Sequence, residues 1–154
     1  MDTISEFYTK IQEHLPIDVN DESLIVLKGH LLCEEYINEY LNECLPNAIH
    51  LEKSRFQMSA KISICKAASD DERHDKWVWK GIEKLNTLRN SYAHSLIPKK
   101  TELENRRAKF INYMENQKLP KPDNFNANKL ALNIMLLCAG IFVIVNSLRN
   151  ERNQ

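Results

Sequence analysis

Glycine is scarce, with three residues (Gly29, Gly81 and Gly140) in a chain of 154. An all-β fold needs many tight turns, and turns favour glycine, so this scarcity argues against it. Glycine-rich phosphate loops of the GxGxxG or GxxxxGK[ST] type are excluded outright. Charge of one sign is lacking too, because Lys plus Arg and Asp plus Glu balance at 21 each. A near-neutral chain exerts no global pull on nucleic acid or an anionic membrane, so any such contact has to come from a local patch. No CxxC pair links Cys33, Cys44, Cys65 and Cys138. Neither a zinc site nor a dithiol centre is signalled, and buried free thiols in a reducing compartment are expected. His14, His30, His50 and His74 are too dispersed for a metal site, so no metal and no cofactor is expected. The start, Met1 to Glu6, lacks the basic and apolar segments of a signal peptide, which makes the cytoplasm the expected location.

The residues that are present point to helices. Hydrophobic residues make up 43%, enough to bury a core in one domain over 1–154. Ile4, Phe7, Tyr8, Ile11 and Leu15 recur at helical spacing in a first helix, which Pro16 ends. Asp21 or Ser23 is placed to cap a second helix running to about Leu45, with Leu24, Leu27, Leu31, Leu41 and Leu45 as its stripe. A third helix is expected over Ser54 to Ala68. The acidic cluster Ser69-Asp70-Asp71-Glu72 suits the N-terminus of a fourth, which carries Trp77 to about Leu96 and stops before Pro98. Trp77 reads as core packing and Trp79 as partly exposed. Thr101 and Glu104 match a capping box that opens a fifth helix to about Gln117.

Leu119 to Asn124, with two prolines, reads as a linker. The last helix spans about Asn126 to Arg149, with a polar tail around 150–154 that should fray. Its apolar run, Leu130 to Val145, falls short of the ~20 residues a membrane span needs. A core helix is expected there, with Asn133 near a polar neighbour or a helix end, and no membrane contact. The result is an all-α bundle of five to six helices.

One segment breaks the amphipathic rule. At about 100° per residue, Val78, Ile82, Leu85, Tyr92 and Leu96 form one stripe, and Arg89 falls in the middle of it. A desolvated guanidinium needs a partner. The bland explanation is an ion pair with Glu34 or Glu35 on the second helix. His94 lies five residues on, roughly 140° around a straight helix. The two side chains converge only if the helix loosens near its end or a second copy faces it. Otherwise His94 is a solvated or capping histidine.

Leu85-Asn86-Thr87-Leu88-Arg89-Asn90-Ser91-Tyr92-Ala93-His94 resembles the Arg-x4-6-His signature of HEPN domains, in which Asn, Asp or His usually follows the arginine, as Asn90 does here. More weakly, Leu27-Lys28-Gly29-His30-Leu31-Leu32-Cys33-Glu34 is similar to the same region of mannitol-operon repressor-like proteins, which share that helical fold. The resemblance implies a homodimer along the motif helices and a metal-independent endoribonuclease, in a toxin–antitoxin or phage-defence setting. His94 would be the general acid or base; an imidazole exchanges protons near neutral pH. Arg89 would clamp the scissile phosphate and Asn90 would orient it, with Glu34, Glu35 and Tyr92 as possible supporting residues. Its implied partners are RNA, a second copy, and a cognate antitoxin or regulatory protein. The alternative is a non-catalytic dimeric regulator resembling the mannitol-operon repressor.

Toxin members often carry a modifiable tyrosine two residues after the histidine. Leu96 stands there, which argues against that form of control. Lys99, Lys100, Arg106, Arg107 and Lys109 follow the motif and are candidates to flank an RNA path, or simply to form a solvated face.

Overall fold

The computed structural model describes residues 3–69, 76–94, 96–97, 99–123 and 128–154. Among them there are seven α-helices and no strands. These are α1 (Thr3–His14), α2 (Glu22–Cys44), α3 (Ile49–Lys53), α4 (Met58–Ala68), α5 (Lys76–Ala93), α6 (Lys100–Asn116) and α7 (Lys129–Arg152). The all-α expectation holds, but the helix count is one above the expected maximum. The extra element is α3, a short helix in a stretch where none was expected, and the third expected helix starts at Met58 instead of Ser54. Arg55, with φ 51°, sits one residue beyond the α3 C-cap in the left-handed region and breaks the run.

The long helices α2 and α7 form the spine, and α5 packs on both. Asp21 caps α2 by accepting from Leu24 N at 3.0 Å, and such a cap contributes about 1 kcal/mol. The contact between α2 and α7 is close at Gly29. A Cβ there would stand 2.5 Å from Ile134 Cγ2, so only a glycine lets the two helices approach this near. The buried face of α2 runs through Ile25, Val26, Cys33, Ile37 and Leu41. Of the expected leucine stripe only Leu41 is buried; Leu24 and Leu31 are exposed, and Leu27 and Leu45 are half-buried. In α1, Phe7, Ile11 and Leu15 are buried, while Ile4 and Tyr8 face outward.

Helix α7 is long and apolar enough, by length and composition, to cross a membrane, yet just over half of its apolar window is buried within the fold. Asn133 is buried in its first turns, and its Nδ2 donates to Lys129 O at 2.9 Å. Its other end does not fray at Arg149. Arg149 donates to Glu43 at 2.8 Å and Glu39 at 3.1 Å, and Arg152 reaches Glu43 at 3.1 Å. These pairs pin the last turn to α2, so the helix continues to Arg152.

Three further expectations are corrected. Trp79 is the buried tryptophan, edge-on to Tyr40, and Trp77 is half-buried over Gly140. Thr101 lies inside α6, whose N-cap position is Lys99 with no side-chain cap. Cys33, Cys65 and Cys138 are buried free thiols as expected, but Cys44 is only half-buried. The acidic cluster beyond Ser69 and the expected start of the last helix at Asn126 lie outside the described residues.

Candidate functional site

The C-terminal half of α5 changes character. Its buried residues are Val78, Trp79, Gly81, Ile82, Leu85 and Leu88. By helical position Arg89 falls on that same arc, yet it is only half-buried, near the end of the helix. Leu96, expected on the stripe, is fully exposed. The polar residues Asn86, Asn90 and His94 are spaced four apart, so they form a row along one helix face. Arg89 sits about 100° from Asn90, and its Nη1 leans toward Asn90 Oδ1 at 3.3 Å. His94 is exposed at the helix end, where its N–H still closes the last turn on Asn90 O. Arg89 and His94 line the same cleft although they diverge around the helix.

These four residues open on one cleft of about 430 Å³. From α2, His30 and Glu34 form its floor and one wall. Across from α5 lies the turn between α3 and α4, with Arg55, Phe56 and Gln57. Met58 and Ser59 complete that side. They are the first residues of α4, whose N-cap Gln57 makes no side-chain cap, so the partial positive end of a helix faces the cleft.

His30 is 4% exposed, and its Nε2 donates to the Asn86 carboxamide oxygen at 3.0 Å. Burial pushes the imidazole below its ordinary pKa. The hydrogen bond to Asn86 opposes that fall, the Arg89 guanidinium adds to it, and Glu34 opposes it. Because Oδ1 of Asn86 accepts from His30, the amide nitrogen of Asn86 is the end left to act as a donor.

The expected partners of Arg89 are engaged elsewhere. Glu34 accepts from Lys61 at 2.7 Å, and Lys61 also reaches Asn38 at 3.0 Å. Glu35 pairs with Lys10 at 2.7 Å and is exposed. Among the described residues, no carboxylate forms an ion pair with Arg89. Of the candidate supporting residues, Glu34 lines the cleft, whereas Glu35 and Tyr92 do not. Burial raises the Tyr92 pKa, and Tyr92 lies in the field of Glu22 and Asp21 at the start of α2 and of Arg107 on α6.

A second cleft of about 370 Å³ adjoins the first and shares Asn90 and His94 with it. Lys99 and Arg106 stand on its far side. Arg106 is held by Glu102 and by Ser91 Oγ at 2.7 Å. The other basic residues after the motif are not gathered here: Arg107 pairs with Glu22 at 2.7 Å, and Lys100 lies 3.9 Å from Glu104. No group of metal-ligating side chains occurs among the described residues.

His30 and Asn86 are the site residues that the sequence reading passed over. Asn86 had a signal, because it stands one turn before Asn90 on the same face. His30 had none beyond its place in the α2 motif, since only the packing of α2 on α5 brings it to the cleft. Comparison with family models, with curated proteins and with solved structures finds no match. The functional reading therefore rests on these residues and their arrangement.

Proposed function

We propose that this chain is an HEPN-like, metal-independent endoribonuclease that works as a homodimer in the cytoplasm, in a toxin or defence setting. The observation that carries the reading is that Arg89 and His94 open on one cleft while, among the described residues, no carboxylate forms an ion pair with Arg89. A guanidinium at a cleft whose lining carboxylate, Glu34, is paired with Lys61 is suited to an external anion. Its planar fork matches a phosphate, and an uncapped helix N-terminus on the opposite wall adds to the attraction.

In this mechanism the RNA 2′-hydroxyl loses its proton to an imidazole and attacks the adjacent phosphorus. The bond to the 5′-oxygen breaks, and that oxygen takes up a proton as it leaves. His94 serves one of these transfers, and a twofold partner presents a second His94 for the other. Arg89 stabilises the charge that builds on the phosphoryl oxygens, and Asn90 holds the phosphate in line. The attacking group is the 2′-hydroxyl, so DNA is not cut.

One observation favours the alternative, a non-catalytic dimeric regulator with a protein partner such as an antitoxin. Glu34 places a carboxylate on the cleft wall, where it opposes an anion. Its pairing with Lys61 offsets that charge locally.

The deciding experiment incubates RNA with purified dimer, verified by light scattering, in the presence of EDTA. Cleavage is expected in EDTA. His94→Ala should lower the rate by about 10² to 10⁴, with fold and dimer intact because the side chain is exposed. Cleavage that survives His94→Ala unchanged, or an absence of cleavage by the wild type, sinks the nuclease reading.

A further inference from the structure

Phe56 is a large apolar side chain, 40% exposed, on the wall of a cleft whose lining is polar apart from Phe56 and the buried Met58. The two usual reasons for such a placement fail here. It stands just before the N-cap Gln57, where an apolar residue often staples a helix start by packing on the fourth helical residue. That residue is Lys61, which is committed to Glu34 and Asn38. Nor does Phe56 belong to the buried core cluster. The turn that presents it is costly as well. Arg55 takes the left-handed conformation at φ 51°, which glycine or asparagine fills more readily, and backbone of this kind gathers at functional sites.

The cleft also exceeds what a lone phosphate needs, since its 430 Å³ falls in the range of small-molecule sites. Its contents ask for a ligand with two parts. Arg89 and Arg55 suit an anion, while the exposed ring of Phe56 suits a flat aromatic surface. A nucleotide has both joined by a sugar.

The geometry points to a nucleobase subsite on Phe56, in which a base next to the phosphate held at Arg89 stacks on the exposed face of the ring. The inference deepens the endoribonuclease reading and rests on it for the class of substrate. Phe56 is a binding residue that grips the substrate beside the reacting phosphate and takes no part in proton transfer. Stacking tolerates any base because every base has a π-face.

The test uses ligands with no bond to cleave. Adenosine 5′-monophosphate and ribose 5-phosphate share the sugar and phosphate and differ by the base. Calorimetric titration of the wild-type protein should show the nucleotide binding more tightly by about 5- to 150-fold, the usual worth of one base stack. Phe56→Ala and Phe56→Leu should bring the two ligands level, whereas Phe56→Tyr should keep the preference. Exposure of the ring makes the variants foldable, and circular dichroism verifies it. Equal binding of the two ligands by the wild type, binding of neither, or an undiminished preference in Phe56→Leu overturns the subsite. A nucleotide preference without RNA cleavage refutes the nuclease and leaves the subsite standing. Cleavage without the preference does the reverse.

Discussion

Arg89→Met separates a structural arginine from a functional one. Methionine reproduces the unbranched stem of arginine as far as Nε and is a good helix former, so the α5 backbone and local packing are preserved. The replacement removes one long hydrogen bond, 3.3 Å to Asn90 Oδ1, and no ion pair among the described residues. A hydrogen bond of ordinary quality contributes about 0.5–1.5 kcal/mol net, and one this long and partly solvated belongs at the low end. Burying the methionine stem offsets part of that loss. The expected change in stability is within about 1 kcal/mol of zero, or about 2–4 °C in Tm for a domain of this size.

Had Glu34 locked Arg89 in the interior, removing one partner would cost about 3–5 kcal/mol, a fall of at least about 6 °C. Thermal melts followed by circular dichroism, at one protein concentration because the chain is expected to dimerise, resolve these two outcomes. RNA cleavage measured on the same samples should drop by about 10² to 10³, as when a charge-stabilising donor is lost. A Tm lowered by more than about 6 °C refutes the reasoning, because it makes Arg89 a framework residue.

Two other perturbations test the surroundings of the site. Gly29→Ala places a methyl 2.5 Å from Ile134 Cγ2, and Ile134 is fully buried and has no room to turn. Overpacking of about 1–3 kcal/mol outweighs a helix-propensity gain of about 1 kcal/mol, so urea midpoints should fall. A variant at or above wild-type stability would show that the α2–α7 contact is looser than described. His30 has its pKa lowered by burial, so the unfolded chain takes up its proton first as pH falls. Stability should decline below the ordinary histidine value of about 6.5 and level off once the folded imidazole also protonates. His30→Gln, which retains a donor for Asn86, should reduce the loss of stability between pH ~7 and pH ~5. An identical loss in the variant would assign it to other groups.

The order of helices was largely legible from periodicity and from proline and cap positions, as Asp21 and Pro16 illustrate. The α5 stripe was legible as well, since Val78, Ile82 and Leu85 are buried, but the phase of α2 was not. Both helices pack against several neighbours, so a wider arc is buried than a single stripe shows. Leu24 and Leu31 stand exposed, and Trp79 replaces Trp77 inside. Arg89 was legible as an anomaly, but its surroundings were not. Whether Glu34 faces Arg89 or Lys61 depends on how α4 lies against α2, which no local pattern encodes. The same holds for His30, placed by packing between helices more than fifty residues apart in sequence. Phe56 fell inside the expected third helix, but the break at Arg55 delays that helix to Met58 and leaves Phe56 in the turn before it.

The residues of the main cleft come from α2, the α3–α4 turn, α4 and α5, all of which precede α7 in the chain. Yet α7 is what closes the core beneath them, wedged against Gly29 one residue from His30. The order of synthesis therefore matters. A growing chain that has reached Asp123 already holds the whole constellation, but its apolar α2 face is uncovered and α2 and α5 lack the long helix that packs on both. A message cut short before Lys129 would yield an unsupported site and exposed hydrophobic surface, prone to aggregation instead of reaction. Competence arrives late in translation, with the helix that contributes no residue to the cleft.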